Sequence, residues 1–478
     1  MRSAILLGLL ALGCASTPGY RSSSVDMPAS FRAVTDTVAV PYLATRPAES
    51  TTATPAPSPT GGSLDYWEQL GDTTLSRLIR EVQNANLDVQ AARARVSAAR
   101  SEHVRTALDL TPSATVSGGY ARQRLSSASF PGGFGSFPDQ DVWSASVDPW
   151  WELDVFGRIR RNVQARGALV DVAREDLRNV QVTLTAEVAR AYFVLRGAQE
   201  QLEVARRNAE NQRHTFDVTR ERLEAGRGSS FDTERAKAQL SLTLASIPAR
   251  EAAVAEAQYR IGVLVGRSPT VVARELSEPA GFPPLPDVTS IGDPASVVRT
   301  RPDVAAAERL AAAQRAFVGA AKANYLPRLT IGGSVGYAAP QFHSIGDQTT
   351  FRYAIGPVIT WPGLNLGRVK AEVDAAQANE AAARAQYSQA VLAALEQMET
   401  ALTRYRSARV SVQRLAEASE ASERAAELAR LRFQEGVTDF LQVLDAERTQ
   451  LEAQDQLAQG RIQAATAYAA LYRAMGGR

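Results

Sequence analysis

The chain has 478 residues, enough for two or three domains, and its 22% charged and 45% hydrophobic content is ordinary for a folded protein. A formal net charge of +2 gives no basis for binding nucleic acid or an acidic membrane surface through charge alone. The single cysteine, Cys14, excludes internal disulfides and thiolate metal clusters, and His103, His214 and His343 fall in three different kinds of segment. No metal site and no cofactor are therefore expected.

The N-terminus reads as an export signal. Arg2 supplies the charge, Ala4 to Leu12 form a short apolar region, and Gly13 and Cys14 end it. The apolar run is too short to cross a bilayer as a helix. A cysteine directly after Leu10-Ala11-Leu12-Gly13 is placed as in a bacterial lipoprotein processing site, where the thiol is acylated and the cysteine becomes the first residue. Ala11 stands where leucine is usual, with Leu10 one place further back. Neither Ala15 nor Ser16 is the aspartate that retains lipoproteins in the inner membrane, so an outer-membrane destination fits. The expected organisation is a signal peptide over 1–13 and a lipid anchor with flexible linker over 14–63. Residues 48–62, rich in Thr, Ala, Pro and Ser, are low-complexity sequence that cannot bury a core.

Helical periodicity begins at Leu75 and is expected to run to Leu110, with Asp72 and Thr73 placed for an N-cap. Two segments follow in which residue types alternate. Val116, Gly118 and Tyr120 alternate with Thr115, Ser117 and Gly119, and Trp143, Ala145 and Val147 alternate with Ser144, Ser146 and Asp148. Strands of about ten residues with one apolar face and one small or polar face match transmembrane β-barrel strands, although a soluble sheet with one face on a core alternates in the same way. A long helix follows, with Leu177, Val180, Leu184, Ala191, Leu195, Ala198 and Leu202 at coiled-coil spacing, and it ends at Gly226. A return helix comes next, in which Pro248 is expected to interrupt the helix or kink it. Residues 268–293 hold Pro269, Pro279, Pro283, Pro284 and Pro286 and read as a loop-rich connector.

The second half repeats the first. Gly157-Arg158 aligns with Gly367-Arg368, and 367 minus 157 is 210; the same offset pairs Trp151 with Trp361, Arg222 with Arg432, Gly226 with Gly436 and Gly266 with Gly476. Ahead of the strands the offset is 215, pairing Asp88-Val89 with Asp303-Val304 and Pro112 with Pro327. An offset held over more than a hundred residues marks a tandem duplication, with repeats over 64–267 and 294–478. From Gly367 to Glu435 there is no further glycine and no proline, which predicts one helix roughly 100 Å long. Two more alternating segments precede it, around Leu329 to Tyr337 and Phe351 to Trp361.

Each chain thus offers four such strands and no apolar run long enough to span a membrane as a helix. An open four-stranded sheet cannot sit in lipid, because its edges would leave N–H and C=O groups unpaired at several kcal/mol each. A barrel would close only by pooling strands from several chains. Trp150, Trp151 and Trp361 cluster where strands hand over to helices, as expected for a girdle at a membrane interface.

These features together resemble the TolC-like outer-membrane efflux proteins, and most of all the lipoprotein branch that includes OprM and NodT. The residues carrying the resemblance are Tyr66-Trp67-Glu68-Gln69-Leu70-Gly71-Asp72 with Leu75, Asn86 and Asp88; Trp151-Glu152-Leu153-Asp154-Val155-Phe156-Gly157-Arg158; Arg301-Pro302-Asp303-Val304 with Ala307-Glu308; Ala321-Lys322 with Tyr325-Leu326-Pro327; and Leu441-Gln442-Val443-Leu444-Asp445-Ala446. The resemblance implies a mainly α fold with a β-barrel part: duplicated long helical hairpins forming a periplasmic α-barrel, and a homotrimer closing a 12-stranded barrel in outer-membrane lipid. It implies passive export of drugs or other small molecules, with a periplasmic adaptor protein and an inner-membrane pump of the RND type as partners. The family's acidic pore constriction corresponds here to Asp445, with Gln442 in place of a second aspartate, so a ring of three carboxylates is expected to favour cations. Gly226 and Gly436, with Arg222 and Arg432 one turn before them, resemble the adaptor-docking tips.

Two other functions share much of this pattern. A type I protein-secretion duct has the same parts, and a non-conducting coiled-coil envelope lipoprotein has the long helices but no need of the strands. An enzyme is not indicated, since the sequence has no Gly-rich phosphate loop, no metal-spaced His/Cys set and no nucleophile motif.

Overall fold

The computed structural model describes Phe31 and residues 65–124, 138–287 and 293–477. Cys14, the export signal, nearly all of the linker and the segment with Phe130, Phe134 and Phe137 lie outside the described residues. In chain order the elements are α1 (Asp65–Glu68), α2 (Thr73–Ala85), α3 (Leu87–Leu108), β1 (Ser113–Gln123), β2 (Gln140–Leu153), α4 (Arg158–Glu224) and α5 (Ser230–Leu264). They continue with α6 (Pro269–Glu275), α7 (Pro294–Thr300), α8 (Pro302–Ala323), β3 (Arg328–Ala339), β4 (Phe351–Thr360), α9 (Leu366–Gln434) and α10 (Phe440–Ala474). The protein is mostly helical, with one antiparallel four-stranded sheet.

The unbroken helix expected from the absence of Gly and Pro is α9, 69 residues long, and its twin α4 has 67. Three local expectations are corrected. The helix predicted from Leu75 to Leu110 is two helices, because Asn86 adopts an extended ψ of 134° and its side chain does the work of a cap. Asn86 Oδ1 accepts from the amides of Asp88 (2.7 Å) and Val89 (3.1 Å), while Nδ2 donates to the Leu264 carbonyl at 2.7 Å. Pro248 does not interrupt the return helix: α5 runs through it for 35 residues. Proline removes one amide donor, and here the residue is solvent-exposed, so water can take the freed carbonyl. The Pro-rich connector, read as loop, opens with the short helix α6, which has Pro269 at the first-turn position where a missing N–H is harmless.

By proximity the chain divides into two compact units. Among the described residues the first comprises 95–174 and 306–388, and the second comprises Phe31, 65–94, 175–305 and 389–477. The sheet belongs to the first unit.

The second unit contains the main core. It is built around Trp67, Tyr192, Phe193, Tyr405, Tyr468 and Tyr472, all buried, with Leu75, Leu78, Ile79 and Val82 from α2 packed among them. Tyr66 stacks on Tyr468 with ring centroids 4.6 Å apart, and its hydroxyl donates to the Tyr468 carbonyl at 3.1 Å. Gln69 Nε2 donates to the Tyr468 hydroxyl at 2.6 Å, and the Tyr405 hydroxyl donates to the Pro286 carbonyl at 2.6 Å. Burial pushes the hydroxyls of Tyr66, Tyr192, Tyr405 and Tyr468 well above their usual pKa, so all four stay neutral donors. Phe31, within the segment expected to link anchor and body, joins this core at 1% exposure. One fully buried Phe contributes about 1.5–3 kcal/mol, enough to tether a polar segment.

The duplication is visible in hydrogen bonds. Asn86 reaches the carbonyl of Leu264, the last residue of α5; Arg301, at offset 215 from Asn86, reaches the carbonyl of Ala474, the last residue of α10, at 3.1 Å. Trp151 Nε1 donates to the Leu110 carbonyl and Trp361 Nε1 to the Tyr325 carbonyl, each at 3.0 Å, at offsets of 210 and 215. Each repeat closes the same bonds with different or identical side chains. Contact between the long helices is tight where α4 meets α10: a Cβ on Gly197 would overlap the Ile462 side chain.

Candidate functional site

The sheet is the first part of the site. Its order is β1-β2-β3-β4, so among the described residues one side of β1 and one side of β4 have no partner strand. Register places Val116 opposite Val147, Val147 opposite Val335, and Val335 opposite Tyr353, a row of apolar side chains across all four strands. The neighbouring row is Ser117, Ser146, Gly336 and Arg352. Because side chains alternate with period two, these rows occupy opposite faces. Val116, Tyr353, Ile355 and Ile359 are more than half exposed, an apolar surface that water does not favour.

The three tryptophans do not share one environment. Trp150 and Trp151 are consecutive in β2 and project to opposite faces, so Trp150 stands on the polar face with Ser146 and Asp148. Trp151 is half-buried and bonded to Leu110, whereas Trp361, just beyond β4, is 56% exposed and bonded to Tyr325. An ion pair follows: half-buried Arg158, at the start of α4, grips buried Glu152 at the end of β2 through Nε (2.9 Å) and Nη2 (2.8 Å).

The helix ends at 224–230 and 434–440 form the second part. Gly226 (φ +72°) and Gly436 (φ +76°) take the left-handed conformation that glycine adopts without strain. In each, two bonds close the helix end: Gly226 and Arg227 donate to Leu223 and Arg222, and Gly436 and Val437 donate to Phe433 and Arg432. Ser229 caps α5 and Asp439 caps α10, each through a side-chain oxygen. The arginines one turn earlier diverge. Arg222 Nη1 donates to the Phe433 carbonyl at 2.7 Å, and its guanidinium lies 4.5 Å from the centroid of the Phe433 ring. Arg432 is exposed, and its guanidinium has no partner among the described residues.

Gln442 and Asp445 lie on the exposed side of the first turns of α10. Asp445 Oδ1 is 3.4 Å from Arg448 Nη2, with both side chains mostly exposed, a pairing worth at most about 1 kcal/mol. The opposite side of the same helix is buried. Glu447, 4% exposed, accepts from Thr215 (2.9 Å) and from Arg430 Nε (2.8 Å), and Arg430 also reaches Gln450 at 3.2 Å. Further along, Asn208 donates to Gln454 at 2.9 Å. This polar seam fixes the register of α10 against α4 and α9, and so fixes which side chains α10 exposes. The i+3 spacing of Arg448 from Asp445 is legible in the sequence, whereas Glu447 and Arg430 carry no such signal because their partners lie on other helices.

Strands with one apolar and one polar face, joined to long helices in each of two repeats, suit a channel whose walls pass from lipid to water. The chain belongs to the outer membrane efflux protein family, which matches it over residues 78–267 and 295–477. It is 28% identical over 396 residues to nodulation protein T of Rhizobium leguminosarum bv. viciae, covering 82% of this chain and 80% of the relative. It is likewise 28% identical over 477 residues to the pyoverdine export outer membrane protein OpmQ of Pseudomonas aeruginosa, covering 98% and 95%. Among solved structures, the outer-membrane channel OprN matches with a TM-score of 0.86 and 35% identity over 97% of this chain and 99% of its own. The Neisseria gonorrhoeae MtrE channel in its open state matches with a TM-score of 0.73 and 26% identity, over 84% and 88%. The protein is therefore an outer-membrane efflux channel of a tripartite system, extending into the periplasm.

Proposed function

We propose that three copies of the chain pool their sheets into a 12-stranded barrel in the outer membrane and their helices into a periplasmic duct, through which small molecules leave the cell passively. The observation that carries this is the sheet itself: two faces of opposite character and two edges with no partner strand among the described residues. In lipid each unpaired backbone group costs several kcal/mol, so β1 of one copy pairs with β4 of the next until the ring closes. The apolar row faces lipid and the polar row faces the water-filled interior. Trp151 and Trp361 mark the periplasmic border of the lipid, and Trp150 lies on the interior side of the same border. Acylated Cys14 anchors each chain, with the repeats over 64–267 and 294–478 as the folded body and 268–293 as the connector.

The exposed side of α10 brings three Asp445 carboxylates together at the periplasmic constriction. With Gln442 in place of a second acid, and Arg448 beside each carboxylate, the ring is a weak cation filter and not a block. Gly226 and Gly436 turn the chain at the adaptor-docking tips, where Arg432 is free to meet an acidic adaptor side chain and Arg222 is occupied within the chain. An adaptor and an inner-membrane pump of the RND type supply the energy and most of the substrate selection. Relatives carry names referring to pyoverdine export and to toluene efflux, which supports small molecules as the cargo class. The duct performs no chemistry of its own.

Disulfide trapping tests the closure. Val116→Cys is combined with single cysteines scanned across 351–359 of β4, with native Cys14 retained for acylation. Oxidation is expected to yield covalent trimers for a subset of pairs that alternate along β4. Monomers alone across the whole scan would reject barrel closure through β1 and β4.

A further inference from the structure

The polar face of the sheet carries few charges, and their placement is specific. Glu152, at one end of β2, is buried and neutralised by Arg158 at 2.8 Å, and Arg328, at the start of β3, bonds to Asn324 at 3.0 Å. The other charged side chains that the register puts on this face are Asp148, in the body of β2, and Arg352, the second residue of β4. The remaining residues of this face include Thr115, Ser117, Ser144, Ser146, Thr330 and Ser334 with glycines and alanines, and the larger apolar side chains on it are Val142, Trp150 and Val358.

Asp148 is held, not free to swing. Its Oδ2 accepts from the Ser117 hydroxyl at 2.5 Å and the Ser146 hydroxyl at 3.2 Å, and these two hydroxyls lie 2.9 Å apart. Among the described residues it has no ion-pair partner within 4.0 Å. The hydroxyls of Ser117, Ser334 and Ser146 hold the carboxylate without cancelling its charge, and Arg352 acts on it only from beyond ion-pair distance, unlike Glu152, whose charge is matched by a guanidinium in direct contact.

We propose that Asp148 is an ion-selectivity determinant of the channel. The inference rests on the barrel reading above: once the sheet closes, three serine-held carboxylates form a belt on the water side of the wall. A ring of fixed carboxylates raises the local concentration of cations and lowers that of anions, so Asp148 biases the barrel toward cationic solutes against the uncancelled charge of Arg328 on the same face. Arg352, on the same face, opposes this in part. The effect fades as ionic strength rises, since charges are screened over about 10 Å at 0.1 M salt.

The test is the reversal potential of the purified full-length protein in planar bilayers under a tenfold KCl gradient at low salt. Asp148→Asn keeps a hydrogen-bond acceptor for Ser117 and removes the charge, and the cation-to-anion permeability ratio should fall about twofold or more. Arg352→Gln should move the ratio in the opposite direction, and Asp148→Ser, read against wild type, guards against a single variant that fails to insert. Comparing each variant with wild type leaves the contribution of Asp445 common to both. Channels of normal conductance with unchanged reversal potential in the Asp148 variants would overturn the proposal while leaving the duct intact. Absence of channels from the wild-type protein would overturn the duct reading, and this inference with it.

Discussion

Replacing Arg222 by alanine isolates the bond that ties the end of α4 to the end of α9. Two contacts disappear: the charge-assisted bond to the Phe433 carbonyl at 2.7 Å and the stacking on the Phe433 ring at 4.5 Å. A hydrogen bond from a charged donor contributes about 1.5–3 kcal/mol, and a cation–π contact at a partly exposed site about 0.5–1 kcal/mol. Arg222 is half-buried, so the low end of each range applies, and the sum is about 2 kcal/mol. The Phe433 carbonyl also accepts from Gly436, and Val437 donates to Arg432, so these two amides report opening of the turn. Each 1.4 kcal/mol is a factor of ten, and hydrogen exchange at Gly436 and Val437 should therefore accelerate about 30-fold. Arg432→Ala, at the equivalent place in the duplication but with no partner to lose, should leave the same amides of the first tip, Gly226 and Arg227, unchanged. Equal protection in wild type and Arg222→Ala would refute the clamp.

Arg301→Ala removes a guanidinium that is 5% exposed and bonds Asp303, Gln397 and the Ala474 carbonyl. Stability should fall by about 3 kcal/mol, read by thermal unfolding in detergent, because buried acceptors lose their donor. Burial pushes the Asp303 carboxyl up, but the Arg301 guanidinium outweighs it and holds it below the usual carboxylate range. A depressed pKa in the folded state stabilises above the unfolded value near 3.9 and loses that contribution as pH falls through the folded value. The gap between wild type and Arg301→Ala should narrow below about pH 4, and a constant gap would deny the Asp303 contribution. Trp67→Ala should cost about 3–5 kcal/mol by the same measurement. Trp67→Phe should cost clearly less than Trp67→Ala, because Phe leaves a smaller cavity and the buried indole N–H has no hydrogen-bond partner among the described residues to lose.

How far the sequence discloses the fold depends on the range of the interaction involved. The length of α9 is legible because helix formers without Gly or Pro act locally, and the strands are legible because alternation is a period of two residues. The break at Asn86 is not, because what stops the helix is a side chain reaching Leu264, 178 positions away. Pro248 misled in the other direction: a single missing donor on an exposed side is too small a cost to end a packed helix. Phe31 carries no local signal for burial, and only the aromatic core assembled from distant segments gives it a place. Among the candidate site residues, the offset of 210 makes Arg222 and Arg432 look equivalent, yet Arg222 meets Phe433 whereas Arg432 has no counterpart to meet. Duplication copies residue types and leaves their partners to the fold.

Conductance of the purified full-length protein in planar lipid bilayers tests the central claim most directly. A trimeric duct gives discrete single-channel steps, and on the proposed placement of Asp445 at the constriction Asp445→Ala lowers their cation preference and keeps the barrel. Protein that inserts into the bilayer and gives no steps at any pH, in wild type and in Asp445→Ala alike, would contradict the duct.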